Sequence, residues 1–316
     1  MNQVEQKKSK IGFEFSNKMT AGVRALTYAD QCNDIEQYPI YGDFSSHFFN
    51  KNIMPCIEFL APKSLFNDYK ELVQIFGAFN KSLIKQLQFE QEIQLGGGRD
   101  PLAFYRAIQN KNTKVTEINL PDFTVLKEYL IDEKCKKHQL DIPNLRLLGM
   151  DLLKESLVKN CILPNLSEET NSFDVMGLSH KDDILEYNPT DYIDTDKELL
   201  IYEFGLTVYL SDQQREFLYK NIDKLCQKIN KKCIFLTTSF NKKKKKETGK
   251  AKSLHAFVYF IEKFFKTKIN VTSFSPDSFF EQRGYKVIRG GDIIHNDVVL
   301  PSLDGGMSIT GYVLNK

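Results

Sequence analysis

The sequence has 316 residues, enough for two domains of roughly 150 residues or for one large α/β domain with additions. Lys and Arg number 43 against 41 Asp and Glu, and 41% of the residues are hydrophobic. This is ordinary globular composition, which excludes a disordered chain, a collagen-like repeat and a strongly basic nucleic-acid binder. No window approaches a membrane span, the start is no signal peptide, and the six cysteines form no C-x-x-C pair. We therefore expect a cytoplasmic protein with reduced thiols.

From residue 91 onward, short apolar runs alternate with longer amphipathic ones, the pattern of parallel strands joined by helices. Helices are predicted to begin at Asp100-Pro101 and at Ser275, and the Ser211-Asp212-Gln213-Gln214 segment resembles a capping box. The pattern predicts an α/β fold whose mostly parallel sheet ends in an antiparallel edge hairpin. Its strands are predicted over 92–95, 113–118, 145–150, 199–202, 232–238, 284–288 and 308–314, and its longer helices over 121–137, 211–228 and 253–266.

Two stretches lie outside this alternation. Residues 1–90 contain three helical candidates, over 16–30, 44–51 and 64–89, and are predicted to form a helical cap. Residues 91–316 would then form one domain, with an insertion at about 154–197 that is too long for a single crossover helix. The acidic residues at 182–196 lie in this insertion, and a run of five lysines at 242–246 follows the fifth strand. We expect both charged segments near the ligand-binding edge of the sheet.

The first strand ends in Gly96-Gly97-Gly98 and is followed by Asp100 at a helix start. Such a glycine turn allows a ligand to approach the backbone at a helix N-terminus. Glu117 ends the second strand, where a carboxylate can accept hydrogen bonds from both hydroxyls of a ribose. Asp151 ends the third strand and is well placed to accept from an adenine amino group, with an N-cap of the next helix as the alternative. Together these positions favour a ligand that contains a nucleoside.

Four segments in this order carry a family resemblance. They resemble motifs of the leucine carboxyl methyltransferase family of S-adenosylmethionine-dependent methyltransferases, which also includes bacterial O-methyltransferases. Segments upstream, at 20–25 and 41–44, and downstream, at 275–276 and 280–285, extend the resemblance over roughly residues 16–290. The four central segments are Gln94-Leu95-Gly96-Gly97-Gly98-Arg99-Asp100, Thr116-Glu117-Ile118-Asn119-Leu120-Pro121, Leu148-Gly149-Met150-Asp151-Leu152 and Tyr202-Glu203-Phe204-Gly205-Leu206-Thr207-Val208-Tyr209-Leu210.

The resemblance implies a Rossmann-like class I methyltransferase sheet and S-adenosyl-L-methionine as the cofactor. Glycines 96 and 98 would pass beneath its methionine part, Glu117 would hold the ribose, and Asp151 with Leu152 would frame the adenine. Arg24 would reach from the cap to the cofactor's carboxylate, a pairing that suits a guanidinium. Glu203 would lie beside the cofactor, and Asp100 belongs to the same cofactor-binding set. Tyr209 is a candidate for lining the acceptor pocket, with core packing as an equal alternative.

The chain departs from the family at two places. Asp100 is followed by Pro101 and Leu102, where the family has Thr or Ser and then Arg. Asn119 replaces the family's second acidic residue after the second strand. Glu117 and Asp151 match the motifs of the family. The two departures therefore concern the identity of the methyl acceptor more than the identity of the cofactor.

The resemblance implies transfer of a methyl group to an oxygen, and the sequence favours a carboxylate acceptor, in a small molecule or at a protein C-terminus. A carboxylate is ionised at neutral pH and needs no general base, whereas a hydroxyl would need one. The five histidines show no catalytic pairing, so we assign no catalytic residue. A nucleic-acid substrate is disfavoured, since the lysine run is typical of a solvated loop.

The same sequence disfavours several other classes of protein. The acidic stretch lacks the D-x-D-x-D-G spacing of a calcium loop, so we expect no metal site. No G-x-S-x-G elbow supports a serine hydrolase, and the missing third glycine disfavours a nucleotide-dependent oxidoreductase. The main alternative to a methyltransferase is a non-catalytic nucleoside-binding or protein-interaction module on the same fold.

Overall fold

A computed structural model describes residues 79, 88–98, 100–162, 193–240, 276–295, 298–301 and 307–315. Its main sheet has seven strands in the order β3-β2-β1-β4-β5-β9-β6. The first five strands are parallel to one another, and β9 is antiparallel to both of its neighbours. The bounds are β1 Gln91–Leu95, β2 Lys114–Asn119, β3 Leu145–Gly149, β4 Leu199–Glu203, β5 Cys233–Phe240, β6 Lys286–Ile288 and β9 Met307–Leu314.

This topology confirms the predicted α/β fold with a Rossmann-like, mostly parallel sheet, with one adjustment at its end. The predicted antiparallel pair is present, but β9 lies between β5 and β6. The antiparallel strand is therefore one position inside the sheet, and the edge strand β6 runs in the same direction as β5. Within the described ranges no helix is both long and apolar enough to cross a membrane.

Helices cover both faces of the sheet. They are α1 Leu102–Gln109, α2 Pro121–His138, α3 Leu157–Cys161, α4 Asp212–Lys228 and α5 Asp277–Glu281, with a 3-10 turn at Thr207–Tyr209. One core cluster packs α1 and α2 side chains such as Leu102 and Leu130 against Leu200 and Ile234. The opposite cluster packs Leu218 and other α4 residues against the alternate residues of the same strands. The inner strands β1, β2 and β4 are thus buried on both faces, as expected of a mainly parallel sheet.

Most predicted element bounds agree with the structure to within two residues. The capping box is confirmed, because the Ser211 hydroxyl accepts from the Gln214 N–H and the Gln214 side chain accepts from the Ser211 N–H. The sequence did not predict α3, the 3-10 turn or a small hairpin of β7 Ile293–His295 and β8 Val298–Val299. These elements are too short for a periodic pattern. The helix at 253–266, the lysine run at 242–246 and the cap, apart from Phe79 and residues 88–90, lie outside the described residues.

The insertion leaves and re-enters the fold at neighbouring points. Ile162 forms a parallel bridge with Ile193, and the Ile193 N–H donates to the Cys161 carbonyl at 2.7 Å. The returning chain is held by Gln91, which bonds the backbone N–H and carbonyl of Asp194 at 2.9 and 2.6 Å. Because Gln91 begins β1, these anchors and Asp194 lie at the amino-terminal edge of the sheet. The expectation that this part of the acidic segment borders the ligand edge was therefore wrong, since a crossover must return to the start of the next parallel strand.

Candidate functional site

The glycine turn joins β1 to α1 at the carboxyl edge of the sheet. Gly96 and Gly98 have φ values of 61° and 56°, in the left-handed region that favours glycine. Gly97 is required for a steric reason, because a Cβ atom there would lie 2.5 Å from Oε1 of Glu117. The turn therefore lies directly against the Glu117 carboxylate, and any side chain at position 97 would displace it.

Glu117 is fully buried and bonded through one oxygen. Its Oε1 accepts from the Lys127 ammonium, which also donates to the Asp100 carbonyl. Oε1 further accepts from the Asn119 side-chain amide at 2.6 Å, and the Asn119 Oδ1 accepts from the Gly98 N–H at 2.6 Å. Asn119 thus connects the Glu117 carboxylate to the glycine turn, and Lys127 connects it to the backbone that precedes α1.

The second oxygen of Glu117 has a different environment. Oε2 is buried and has no hydrogen-bond partner within the described part of the chain. Burial raises the pKa of Glu117, and the neighbouring Asp100 adds to this, whereas the Lys127 charge and the bonds from Lys127 and Asn119 oppose it. An unbonded carboxylate oxygen in the interior is costly, and such atoms normally have a partner. Oε2 is therefore the oxygen of Glu117 that can accept a hydrogen bond from a ligand.

Polar side chains continue from Glu117 along the same face of the sheet. Glu117, Gln94 and Tyr202 are register partners on β2, β1 and β4. Gln94 accepts from the Ala103 N–H at 3.0 Å, and Glu92, one pleat earlier, pairs with Arg106 of α1. The Tyr202 hydroxyl is buried without a hydrogen-bond partner among the described residues. Burial, and then the charges of Glu117 and Asp100, raise the pKa of Tyr202 against the opposing charge of Arg106.

Asp100 is buried at the entrance of α1. Its Oδ1 accepts from the Leu102 N–H at 3.1 Å, and its own N–H donates to the Gly97 carbonyl at 2.8 Å. The predicted helix start is one residue too early, because the helix begins at Leu102 and Pro101 occupies the N-cap position, and Asp100 bonds the first helical N–H from the residue before it. The side chain acts on the backbone of its own turn, which fixes the path from the glycine turn into α1.

Asp151 follows β3 and remains partly open, with 26% of its side chain exposed. Its Oδ1 accepts from the Leu153 N–H at 3.0 Å, and its Oδ2 pairs with Lys154 at 3.0 Å. The adjacent Leu152 is buried in the core that packs on the α4 side of the sheet. The alternative of an N-cap for the next helix is wrong, because the N-cap of α3 is Ser156, whose hydroxyl accepts from the Lys159 N–H. The Asp151 side chain instead stabilises the turn that follows β3.

Glu203 ends β4 and is fully buried. Oε1 accepts from the Thr207 hydroxyl at 3.0 Å, from the Thr237 hydroxyl and from the Thr238 N–H at 3.2 Å. Oε2 accepts from the N–H groups of Leu206 and Thr207 at 2.9 and 3.3 Å. Burial raises the pKa of Glu203, and these bonds oppose the shift. With five donors from its own chain, this carboxylate joins β4, the 3-10 turn and β5.

The structure brings Gly96, Gly98, Asp100 and Glu117 into one cluster. Asp151 lies at the end of β3, the outer neighbour of β2, and Glu203 lies on β4, across β1 from Glu117. Tyr209 is half-buried at the end of the 3-10 turn. Phe79, from the predicted cap, packs edge-on against Phe204 with ring centroids 5.9 Å apart, so this cap residue reaches the end of β4. Arg24 lies outside the described residues.

Sequence reasoning missed Lys127 and Tyr202, and it treated Asn119 only as a departure. The sequence held no clear signal for Lys127, because the stripe of α2 that is buried in the structure, at positions 124, 127, 130, 131 and 134, contains two lysines among its five residues. A lysine in the middle of such a stripe requires a buried partner. Among the described residues no three metal-ligating side chains are grouped closely enough to hold an ion.

No protein-family model and no curated protein sequence matches this chain. Solved structures resemble it at low identity. A DUF574 family protein from Streptomyces avermitilis is 10% identical, and the match covers 92% of this chain and 96% of that one with a TM-score of 0.46. The S-adenosylmethionine-dependent methyltransferase SibL, in its apo form, is 12% identical over 92% of this chain and 74% of its own, with a TM-score of 0.45.

The pyocyanin biosynthetic protein PhzM is 9% identical over 78% of this chain, with a TM-score of 0.41, and this chain spans 57% of its length. These structures are distant likenesses of the fold and assign no activity to this chain.

Proposed function

We propose that this protein is an S-adenosyl-L-methionine-dependent O-methyltransferase. The observation that carries the proposal is the Glu117 carboxylate, which lies against a glycine turn at the carboxyl edge of a Rossmann-like sheet and whose Oε2 is a buried acceptor without a partner among the described residues. Ligands of open α/β sheets bind at this edge. A ribose hydroxyl is a donor of suitable chemistry for Oε2, so the residues present fit a nucleoside-containing cofactor.

The same proposal assigns roles to the other candidate residues. We propose that the backbone of Gly96 and Gly98 lies along the methionine part of the cofactor and that Asp151 receives the adenine, with Leu152 supporting it from the core. Asp100 would act through the backbone by fixing the turn, and Glu203 would hold the wall of the site. Arg24 as a partner of the cofactor's carboxylate rests on the family resemblance alone.

S-adenosylmethionine supplies an activated methyl group on a sulfonium, which is an excellent leaving group. The chain's own task is then to hold an acceptor oxygen in line with the methyl group and to exclude water. We propose a carboxylate acceptor, in a small molecule or at a protein C-terminus, because it needs no general base. Membership in the leucine carboxyl methyltransferase family belongs to the same proposal, and Tyr209 is the candidate for lining the acceptor pocket.

The test of the cofactor is calorimetric titration with S-adenosylhomocysteine, for the unaltered protein and for Glu117→Gln. We expect the variant to bind about tenfold more weakly or worse, since a hydrogen bond to a charged group contributes about 1.5 to 3 kcal/mol. Glu216→Gln is the matched control, because Glu216 is an exposed glutamate of α4 and its change should leave binding unaltered. Equal affinities for Glu117→Gln and the unaltered protein would refute the ribose assignment, and the absence of any heat would refute the cofactor.

One observation favours a second candidate, the non-catalytic nucleoside-binding module. The second acidic residue of the family is Asn119 here, and its amide is already bonded to Glu117 and Gly98. A methylation screen that compares small carboxylic acids with peptides ending in free carboxylates distinguishes the two. Cofactor binding with methyl transfer to an acceptor supports the enzyme, whereas binding without any turnover supports the module.

A further inference from the structure

Lys127 is an unusual feature of α2, and the proposed chemistry does not use it directly. Its side chain is 2% exposed, although α2 also has exposed positions where a lysine would cost nothing. A buried ammonium is expensive unless it is paired and hydrogen-bonded. Here it has two acceptors, Glu117 Oε1 and the Asp100 carbonyl, which belong to different elements. The residue thus joins β2 to the backbone that leads from the glycine turn into α1.

Replacement of a buried ion pair by apolar residues is often neutral or stabilising, so stability alone does not explain a pair in this position. The asymmetry of the contacts suggests another reason. Lys127 and Asn119 both donate to Oε1 of Glu117, and Oε2 is left without a partner among the described residues. Their donors therefore fix the rotation of the carboxylate and determine which oxygen is available.

We propose that Lys127 is a positioning residue, which holds the Glu117 carboxylate and the Asp100 carbonyl in one arrangement so that Oε2 of Glu117 can accept from the ribose of the cofactor. This inference rests on the proposed cofactor and assigns a role that acts through Glu117. Lys127 itself need not touch the ligand.

The charges around Glu117 make the role measurable. Asp100 adds negative charge near it, Tyr202 faces it from β4, and Arg106 lies nearby but is paired with Glu92. Lys127 is the cation that opposes the effect of burial on the pKa of Glu117. Without that ammonium, the pKa of Glu117 would rise further, and the protonated carboxyl group would be a poorer acceptor.

The experiment measures S-adenosylhomocysteine affinity by calorimetry from about pH 6 to about pH 9, where a strongly raised carboxyl pKa would be visible. The proteins are the unaltered chain, Lys127→Met, Glu117→Gln and the double variant Lys127→Met/Glu117→Gln. Each variant's dissociation constant is divided by that of the unaltered protein at the same pH, which removes the titration of the ligand itself. Urea unfolding of each protein verifies that it is folded, and Lys127→Gln substitutes for Lys127→Met if the latter does not fold.

We expect Lys127→Met to bind about tenfold more weakly near pH 6 and to recover as the pH rises and Glu117 ionises. In the Glu117→Gln background, Lys127→Met should weaken binding little further, and the ratio of dissociation constants should not change with pH. A purely structural role would lower the affinity of Lys127→Met equally at every pH and in both backgrounds, and that result would overturn the proposal. If the unaltered protein binds no S-adenosylhomocysteine, the proposed function is wrong, whereas binding with a flat profile for Lys127→Met refutes the positioning role alone.

Discussion

Glu203 shows at the residue scale how a buried carboxylate can organise the backbone around it. Three of its five donors are backbone N–H groups, which cannot reverse their polarity as a hydroxyl can. In Glu203→Gln an amide NH₂ would face some of these donors, and the variant would lose both the charge and a matched acceptor. We expect the free energy of unfolding to fall by about 2 to 3 kcal/mol.

Urea denaturation measures this change in the free energy of unfolding, provided that the dependence of that free energy on urea concentration is the same for both proteins. Glu216→Gln is the control, because Glu216 forms an exposed ion pair with Lys220 on α4 and should change the free energy of unfolding by less than about 0.5 kcal/mol. Equal losses for the two variants would contradict the structural role of Glu203. The sequence could place Glu203 at the end of β4, but the contribution of Thr237 and Thr238 depends on β5 lying beside it.

At the scale of the secondary-structure elements, one glycine allows the antiparallel strand β9 to lie between β5 and β6. A Cβ atom at Gly311 would lie 2.5 Å from Cγ1 of Ile288 on β6 and 3.0 Å from a methyl group of Leu236 on β5. We expect Gly311→Ala to lower the free energy of unfolding by about 1 to 3 kcal/mol through overpacking. The sequence predicted the β6–β9 pair, but it did not show that β9 enters between β5 and β6.

A double-mutant cycle with Ile288→Ala tests this contact. Removal of the Ile288 side chain creates space for the alanine at position 311, so the loss in the double variant should be smaller than the sum of the two single losses by about 1 kcal/mol. Thermal or urea unfolding of the four proteins gives the comparison. Additive losses would mean that the Gly311 site is not limited by Ile288.

At the scale of the whole molecule, we predict that the segment 163–192 can be removed without loss of the sheet that carries the proposed site. Its anchors are adjacent, with the Ile193 N–H bonded to the Cys161 carbonyl, and they lie at the amino-terminal edge, away from the glycine turn. We expect replacement of residues 163–192 by a Gly-Ser linker of about six residues to leave a folded protein, because loop closure depends weakly on loop length.

S-adenosylhomocysteine affinity measured by calorimetry should remain within about threefold of that of the full chain, a difference of less than 1 kcal/mol. Loss of this affinity in a variant that still unfolds cooperatively would show that the insertion contributes to cofactor binding. Replacement of residues 213–214 at the start of α4 by Ala-Ala is a suitable control, because it is a local change outside both the proposed site and the insertion. It should preserve the affinity for S-adenosylhomocysteine as well.

Hydrophobic periodicity and turn chemistry act locally, so the sequence by itself determined the α/β alternation, the glycine turn, the Ser211 capping box and the placement of Glu117, Asp151 and Glu203 near the carboxyl ends of their strands. Tertiary structure decided which of these side chains meet. A carboxylate such as Glu117 faces its partners only after β1, β2 and α2 have packed, and the choice of Lys127 and Asn119 as those partners depends on contacts across elements. Packing between elements also distinguishes the two buried glutamates. Both oxygens of Glu203 accept from donors of neighbouring elements, whereas Oε2 of Glu117 has no partner among the described residues.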